Sequence, residues 1–171
     1  MASYRAVNLL STIDAAYIAG IVDGEGTITL SRKHAGEGRQ LVISISSTER
    51  SILEFVRRRI GAGKITSKKT TKAHHAPGLT YAIWNRQALS VLIQIRPFLR
   101  SYKSERARLV EQHYVRLTPR NGKYIASTLA TRHEFEAALL ALRANRSAAL
   151  PLTSAAEQRA EQAADQRAAR L

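Results

Sequence analysis

From Ala15 to Val22 the chain reads Ala-Ala-Tyr-Ile-Ala-Gly-Ile-Val, an uncharged apolar run set between Asp14 and the turn-like Asp23-Gly24-Glu25-Gly26. Thr12 or Asp14 can cap a helix over this run, and the two glycines are expected to end it. A helix apolar nearly all round has to be buried on every face. Its small residues, Ala15, Ala16, Ala19 and Gly20, would let another backbone approach closely. The period then changes to two. Ile28 and Leu30 alternate with Thr27, Thr29, Ser31 and Lys33; past the polar loop Ala35-Gly36-Glu37-Gly38, Leu41, Ile43 and Ile45 alternate with Gln40, Val42, Ser44 and Ser46. This pattern predicts a hairpin with one apolar and one polar face.

Thr48 and Glu49 then start a second helix, Ser51 to Ile60, with Ile52, Leu53, Val56 and Ile60 at helical spacing and Gly61-Ala62-Gly63 as its stop. Lys64 to Lys69 and Leu79 to Trp84 predict a second hairpin around Ala76-Pro77-Gly78. Tyr81 and Trp84 are ambiguous there between the two faces, although an aromatic at strand spacing is more often core. A third helix, Gln87 to Ile95, closes ahead of Pro97, and further helices are expected from about 104 to 115 and from 132 to 142. The order is αββαββα with extra C-terminal helices. It places the chain in the α+β class, an antiparallel sheet with helices on one face. Residues 1–147 form one expected domain. The Ala-rich, neutral stretch 148–171 is a helix or a tail to which no function is assigned.

Composition narrows the function. The chain has 171 residues and no cysteine, which excludes a disulfide framework, thiolate zinc sites, iron–sulfur clusters and cysteine nucleophiles. Its apolar runs are too short to span a bilayer, and their flanks are wrong for a secretory signal. A soluble protein inside the cell is expected, with no membrane partner. The net charge is +14, from 27 Lys and Arg against 13 Asp and Glu, and it is unevenly placed. Beyond Leu150 the charges balance. Between Phe55 and Ser104 stand Arg57, Arg58, Arg59, Lys64, Lys68, Lys69, Lys72, Arg86, Arg96, Arg100 and Lys103, without one carboxylate. So long a basic stretch points to a phosphate-binding face rather than a merely solvated one.

The turn Asp23-Gly24-Glu25-Gly26 is by itself only a glycine-rich helix end. In its context, Tyr17-Ile18-Ala19-Gly20-Ile21-Val22-Asp23-Gly24-Glu25-Gly26 closely resembles the motif that names the LAGLIDADG homing endonucleases. The segment Arg96-Pro97-Phe98-Leu99-Arg100-Ser101-Tyr102-Lys103 is similar to that family's Pro-aromatic-Leu-basic stretch, and the αββαββα order agrees. The resemblance implies Glu25 as the metal-binding acid, with the Gly24 carbonyl as a second ligand. Mg²⁺ is the implied ion, with Mn²⁺ able to substitute. The physics is compatible. Phosphodiester hydrolysis calls for a divalent ion, and Mg²⁺ needs only one or two carboxylates besides phosphate oxygens and water. Lys103 is then the candidate for stabilising phosphate charge. Ser47 with Arg50 stands where the family often has a water-holding Gln or Asn. Asp23 is expected to serve the helix end.

On the family's geometry the polar sheet face lies in the major groove of double-stranded DNA. Thr27, Thr29, Ser31, Lys33, Gln40, Val42, Ser44, Ser46, Lys64, Thr66 and Lys68 would face the bases, with Arg32, Arg39, Lys69 and Lys72 at the turns. His34, His74 and His75 have no metal-ligand spacing and read as loop residues or phosphate contacts. One motif per chain implies a homodimer packed through the first helix, with Ala16, Ala19, Gly20 and Asp23 at the interface and two copies of Glu25 near the two-fold axis. Such a dimer would cut both strands of a roughly palindromic site. About eight phosphate contacts would give a salt slope near −7. A non-cleaving relative, either an RNA maturase that assists intron splicing or a DNA-binding relic, is the alternative. A basic helix-turn-helix regulator is a third reading, but it leaves the acidic glycine turn unexplained.

Overall fold

The computed structural model describes residues 6–32, 34, 38–67, 78–119 and 124–144. Lys33, Lys68, Lys69, Lys72, His74, His75 and the stretch 148–171 lie outside the described residues, as does the boundary at 147. The elements are α1 (Thr12–Glu25), β1 (Gly26–Ser31), β2 (Gln40–Ser47), α2 (Arg50–Ile60), β3 (Lys64–Ser67), β4 (Leu79–Trp84), α3 (Asn85–Ile95), a 3-10 turn (Arg96–Phe98), α4 (Lys103–His113) and α5 (Ala126–Ala141). The αββαββα order expected from the periodicity is present. Among the described residues no helix is long and apolar enough to cross a membrane.

The strands form one antiparallel sheet in the order β1-β2-β4-β3, so the two hairpins meet through β2 and β4. Register sorts the side chains into two faces. Ile28, Ile43 and Ile83 form one cross-strand row, and Ile45, Tyr81 and Ile65 form the next. Against these rows pack Ile18, Ala19 and Val22 of α1, Leu53 and Val56 of α2, and Leu89 and Leu92 of α3. A fully buried isoleucine contributes about 1.5–3 kcal/mol by burial, so these central rows hold the helices beneath the sheet.

Several boundaries differ from the periodicity. Ser11 caps α1, its hydroxyl accepting from the Asp14 N–H at 3.1 Å. The glycines do not stop the helix: Gly24 lies within it and Glu25 is its last residue. The strand starts at once, at Gly26, where an added Cβ would lie 2.7 Å from Val22 Cα. Only glycine permits so abrupt a passage from helix to strand. Gly61, with φ 75°, ends α2 in the left-handed conformation, as a helix-terminating glycine does. α5 begins at Ala126, well before Arg132, because its first turns are small, weakly patterned residues.

Burial corrects three further expectations. Within one chain α1 is covered on one side alone. Ala15, Ile18, Ala19 and Val22 are buried, whereas Ile13 (81% exposed), Ala16, Tyr17 (50%), Gly20 and Gly24 face outward. Tyr81 belongs to the core. Trp84, in contrast, lies on the polar face, where it sits opposite Val42 and shields it. Val42 is therefore buried, although its strand position points away from the core.

Candidate active site and polar sheet face

The end of α1 gathers the chemistry of the motif. Asp23 accepts the backbone N–H groups of Arg100, at 2.7 Å, and Ser101, at 3.3 Å, together with the Ser101 hydroxyl. Partial burial raises the Asp23 carboxyl. The Ser101 hydroxyl, the two N–H groups and the Lys103 charge outweigh that effect and hold it below the usual carboxylate range. Asp23 thus ties α1 to the segment that leads into α4. Lys103 completes the tie. Its Nζ donates to the carbonyls of Val22 and Asp23, each at 2.8 Å. Both carbonyls lie in the last turn of the helix, where the dipole favours a cation, and that of Val22 also accepts the Gly26 N–H. Burial pushes the Lys103 ammonium below the usual lysine range, against the attraction of Asp23 and Glu25 and with the repulsion of Arg106.

Glu25 differs from both. It is exposed and makes no hydrogen bond or ion pair with a described residue. Because Gly26 pairs with Ile45, Glu25 shares one end of the sheet with Ser46 and Ser47. Among the described residues no group of three or more His, Asp or Glu converges to hold a metal. One chain therefore offers a single hard carboxylate at the helix end, with the Gly24 carbonyl beside it. That donor set suits Mg²⁺, whose remaining positions are filled by water and phosphate oxygens. Ser47 and Arg50 are spent locally. The Ser47 hydroxyl accepts the Glu49 N–H at 3.0 Å, while Arg50 pairs with Glu54 at 2.9 Å along α2.

The other face of the sheet is open. Its rows are Thr27, Ser44, Ala82 and Lys64; then Thr29, Val42 and Trp84; then Ser46, Thr80 and Thr66; with Ser31 opposite Gln40 at the edge. Thr27, Lys64 and Thr66 are exposed, and Thr29, Ser31, Gln40, Ser44 and Ser46 are half-buried among their neighbours. Arg32 is exposed just beyond β1. Arg39 is not a free turn cation: its guanidinium donates to the Leu30 carbonyl at 3.2 Å and meets Glu136 at 3.4 Å. Ala19, expected on the outer face of α1, is instead wholly buried against its own chain, and Asp23 is engaged with Arg100 and Ser101. Ala16 and Gly20 do lie on that outer face.

Some groups escaped the sequence reading. Buried Arg106 donates to the Ile28 carbonyl at 2.7 Å and to the Leu142 carbonyl at 3.0 Å, joining β1 to the end of α5. Arg132 is also buried. It pairs with Glu136 at 3.0 Å and donates to the carbonyls of Leu117 and Arg39. Asn85 and Tyr114 link α3 and the end of α4 to the start of β2. Their partners are far away in sequence, and the one available signal was polar or basic residues at positions in otherwise core-facing helices.

The LAGLIDADG-like domain family matches residues 12–112. None of the curated protein sequences matches the chain. Among solved structures, the chain is similar to the homing endonuclease I-CvuI, crystallised in complex with its target in the presence of calcium. The identity is 18% over 77% of this chain and 83% of that one, with a TM-score of 0.63. It is also similar to the archaeal intron-encoded homing endonuclease I-Vdi141I complexed with DNA, at 18% identity over 78% and 86% of the two chains and a TM-score of 0.61. The meganuclease I-AabMI bound to uncleaved DNA matches at 20% identity and a TM-score of 0.54, over 72% of this chain and 43% of that one. At these identities the likeness is one of fold.

Proposed function

The chain belongs to the LAGLIDADG-like domain family, and from that premise we propose that it is a metal-dependent, site-specific endonuclease that cleaves double-stranded DNA as a homodimer. One observation carries the reading. Of the polar groups at the end of α1, Asp23 and Lys103 are consumed in holding the helix end, whereas Glu25 is exposed beside the polar face and, among the described residues, makes no hydrogen bond or ion pair. An acid with no structural duty, held in place by acids and bases that have one, is suited to chemistry.

In this reading the sheet face docks in the major groove. Thr27, Thr29, Ser31, Gln40, Ser44, Ser46 and Thr66 meet base edges, and Lys64 and Arg32 meet phosphates. Lys33, Lys68, Lys69 and Lys72 are further candidate DNA contacts read from the sequence, and they lie outside the described residues. Glu25, with the Gly24 carbonyl, would hold a Mg²⁺ or Mn²⁺ ion. The ion supplies activation of water and stabilisation of the leaving oxygen. Lys103 keeps the helix end rigid and lends positive charge to the same corner. Ser47, whose oxygen takes the Glu49 N–H, would orient a water only through its hydroxyl proton, and Arg50 would first have to leave Glu54 to assist it. The protein acts inside the cell, with its DNA.

The homodimer rests on the outer face of α1. Ile13, Ala16, Tyr17, Gly20 and Gly24 recur at i, i+3, i+4, i+7 and i+11, one stripe of a helix. An added Cβ at Gly20 or Gly24 would meet nothing within 4 Å. Among the described residues nothing requires those glycines to be small, whereas a second helix backbone laid against them would. Packing two copies there brings two Glu25 carboxylates to the two-fold axis and fits a roughly palindromic site cut on both strands.

The commitment of Ser47 and Arg50 to local contacts favours a second reading, a relative that binds DNA or assists RNA splicing without cutting. Incubation with a randomised double-stranded library in Mg²⁺ or Mn²⁺ separates the two. Recovery of cut molecules sharing one site supports the nuclease; tight selection of a site with no cutting in either ion decides for the non-cleaving relative.

A further inference from the structure

We propose that Asn85 and Tyr114 are positioning residues that lock the side-chain amide of Gln40 so that it offers DNA its two N–H donors, making Gln40 a selective reader of acceptor edges. The proposal rests on the DNA-binding reading of the polar face. Gln40 opens β2 on that face, opposite Ser31. Its Oε1 accepts from Asn85 Nδ2 at 2.9 Å. Asn85 Oδ1 accepts from the Tyr114 hydroxyl at 3.1 Å, and that hydroxyl oxygen accepts the backbone N–H of Leu41, also at 3.1 Å.

The polarity of this relay follows from its buried end. A backbone N–H can only donate, so the Tyr114 oxygen is the acceptor toward Leu41 and its own proton goes to Asn85. The Asn85 amide therefore turns its oxygen inward and its nitrogen toward Gln40. Gln40 meets that nitrogen with its oxygen, and its Nε2, with two N–H groups, is directed away from the relay. The relay is stiff. Tyr114 is buried, and burial pushes its phenol up, so it stays protonated as a donor. Asn85 has φ 53°, a left-handed conformation that asparagine tolerates better than most side chains. The preceding residue is fastened too, since Arg132 of α5 donates to the Arg39 carbonyl. Arg39, Gln40 and Leu41 are thus each held from the helical side.

The consequence is chemical. In the major groove guanine offers two acceptors, adenine an acceptor beside a donor, thymine an acceptor, and cytosine a donor. An unconstrained glutamine amide can turn to suit any of them. An amide held with its nitrogen outward accommodates guanine, adenine or thymine and disfavours cytosine.

The test is selection of bound sites by the full-length protein from randomised double-stranded DNA, with cleavage suppressed by Ca²⁺. The parent is expected to disfavour cytosine about tenfold at one position per half-site, and Gln40→Ala to lose that bias and no other. Asn85→Asp keeps the acceptor for Tyr114 but cannot donate, so it draws the Gln40 nitrogen inward and turns the oxygen out. The bias at that position should then invert toward cytosine. Tyr114→Phe, nearly isosteric, should flatten the bias without inverting it, and it decides the matter if Asn85→Asp does not fold. Parent-like profiles in Tyr114→Phe and in folded Asn85→Asp would overturn the relay, and an unchanged profile in Gln40→Ala would overturn the reader. If the parent itself selects no DNA, the underlying DNA-binding reading has failed, which is seen before any variant is made.

Discussion

At the C-terminal end of α1, polar groups are paired with one another until one is left. Asp23 accepts from Arg100 and Ser101, Lys103 donates to Val22 and Asp23, and Glu25, exposed, makes no hydrogen bond or ion pair among the described residues. The open sheet face is built differently. Its threonines, serines and Lys64 are short or exposed and spread over four strands, with few fixed partners between them. On the proposed nuclease reading, catalysis needs one group held within a fraction of an ångström, which fits constraints concentrated there. Recognition sums many modest contacts that the DNA itself helps to order. In the proposal made above, Gln40 is where the two styles meet, a reading group tethered to Asn85.

If that division holds, the largest single effect belongs to Glu25. Glu25→Gln should lower cleavage by about 10³-fold, the scale of losing one preorganised electrostatic group. The unfolding temperature should barely move, because Glu25 is exposed and has no hydrogen bond or ion pair to lose among the described residues. A variant that cuts like the parent would end the assignment. Next comes the outer face of α1. Gly20→Arg leaves the folded protomer intact, since the added side chain meets open space, but each of the two copies should cost the dimer about 1–3 kcal/mol by overpacking. Light scattering at micromolar concentration should register monomers, with double-strand cutting lost in parallel. An unaltered dimer would place the interface elsewhere.

The two regions were not equally legible in the sequence. Period-two alternation exposes a hairpin whatever lies below it, so β1 and β2 were visible with their faces and β4 as a strand alone, and Glu25 stood in a glycine turn that the residues before it made distinctive. Alternation does not say what covers a residue: Val42 has a polar-face position and is buried because Trp84, a strand away, lies over it. Likewise the small size of Ala19 marked a close helix contact but not whether its own chain or a second one makes it. Arg39 looked like a phosphate contact until α5 supplied Glu136. The attachments of Lys103, Arg106, Asn85 and Tyr114 depend on pairings that exist only once the sheet is assembled, and no local pattern encodes them.

A smaller effect probes how far the helix end depends on Asp23. Asp23→Asn keeps the shape and removes the charge from the acceptor of the Arg100 and Ser101 groups. The expected loss is about 1 kcal/mol, after allowing for partial exposure. The pH dependence has a definite sign. With the folded carboxyl held below its ordinary value of 3.8, its contribution is complete above that value and disappears as the pH falls through the folded pKa. Denaturant unfolding at pH 7 and near pH 3 should therefore show the parent converging on the variant in acid. A gap of the same size at both pH values would mean that the carboxylate charge is not what stabilises the helix end.

The smallest effect should come from the open face. Lys64 is exposed at the start of β3 and lies in the row with Thr27, Ser44 and Ala82. As a phosphate contact it carries no sequence information, so Lys64→Ala should weaken binding to every site by a similar factor. The slope of log K against log salt should become shallower by about one unit. Gln40→Ala should do the reverse, changing preference at one position while leaving the salt slope alone. The two variants measured side by side separate charge from reading on a single surface. A Lys64→Ala protein with an unchanged slope and an altered base preference would show that this lysine reads a base edge, and that the division between holding and reading DNA does not follow side-chain charge.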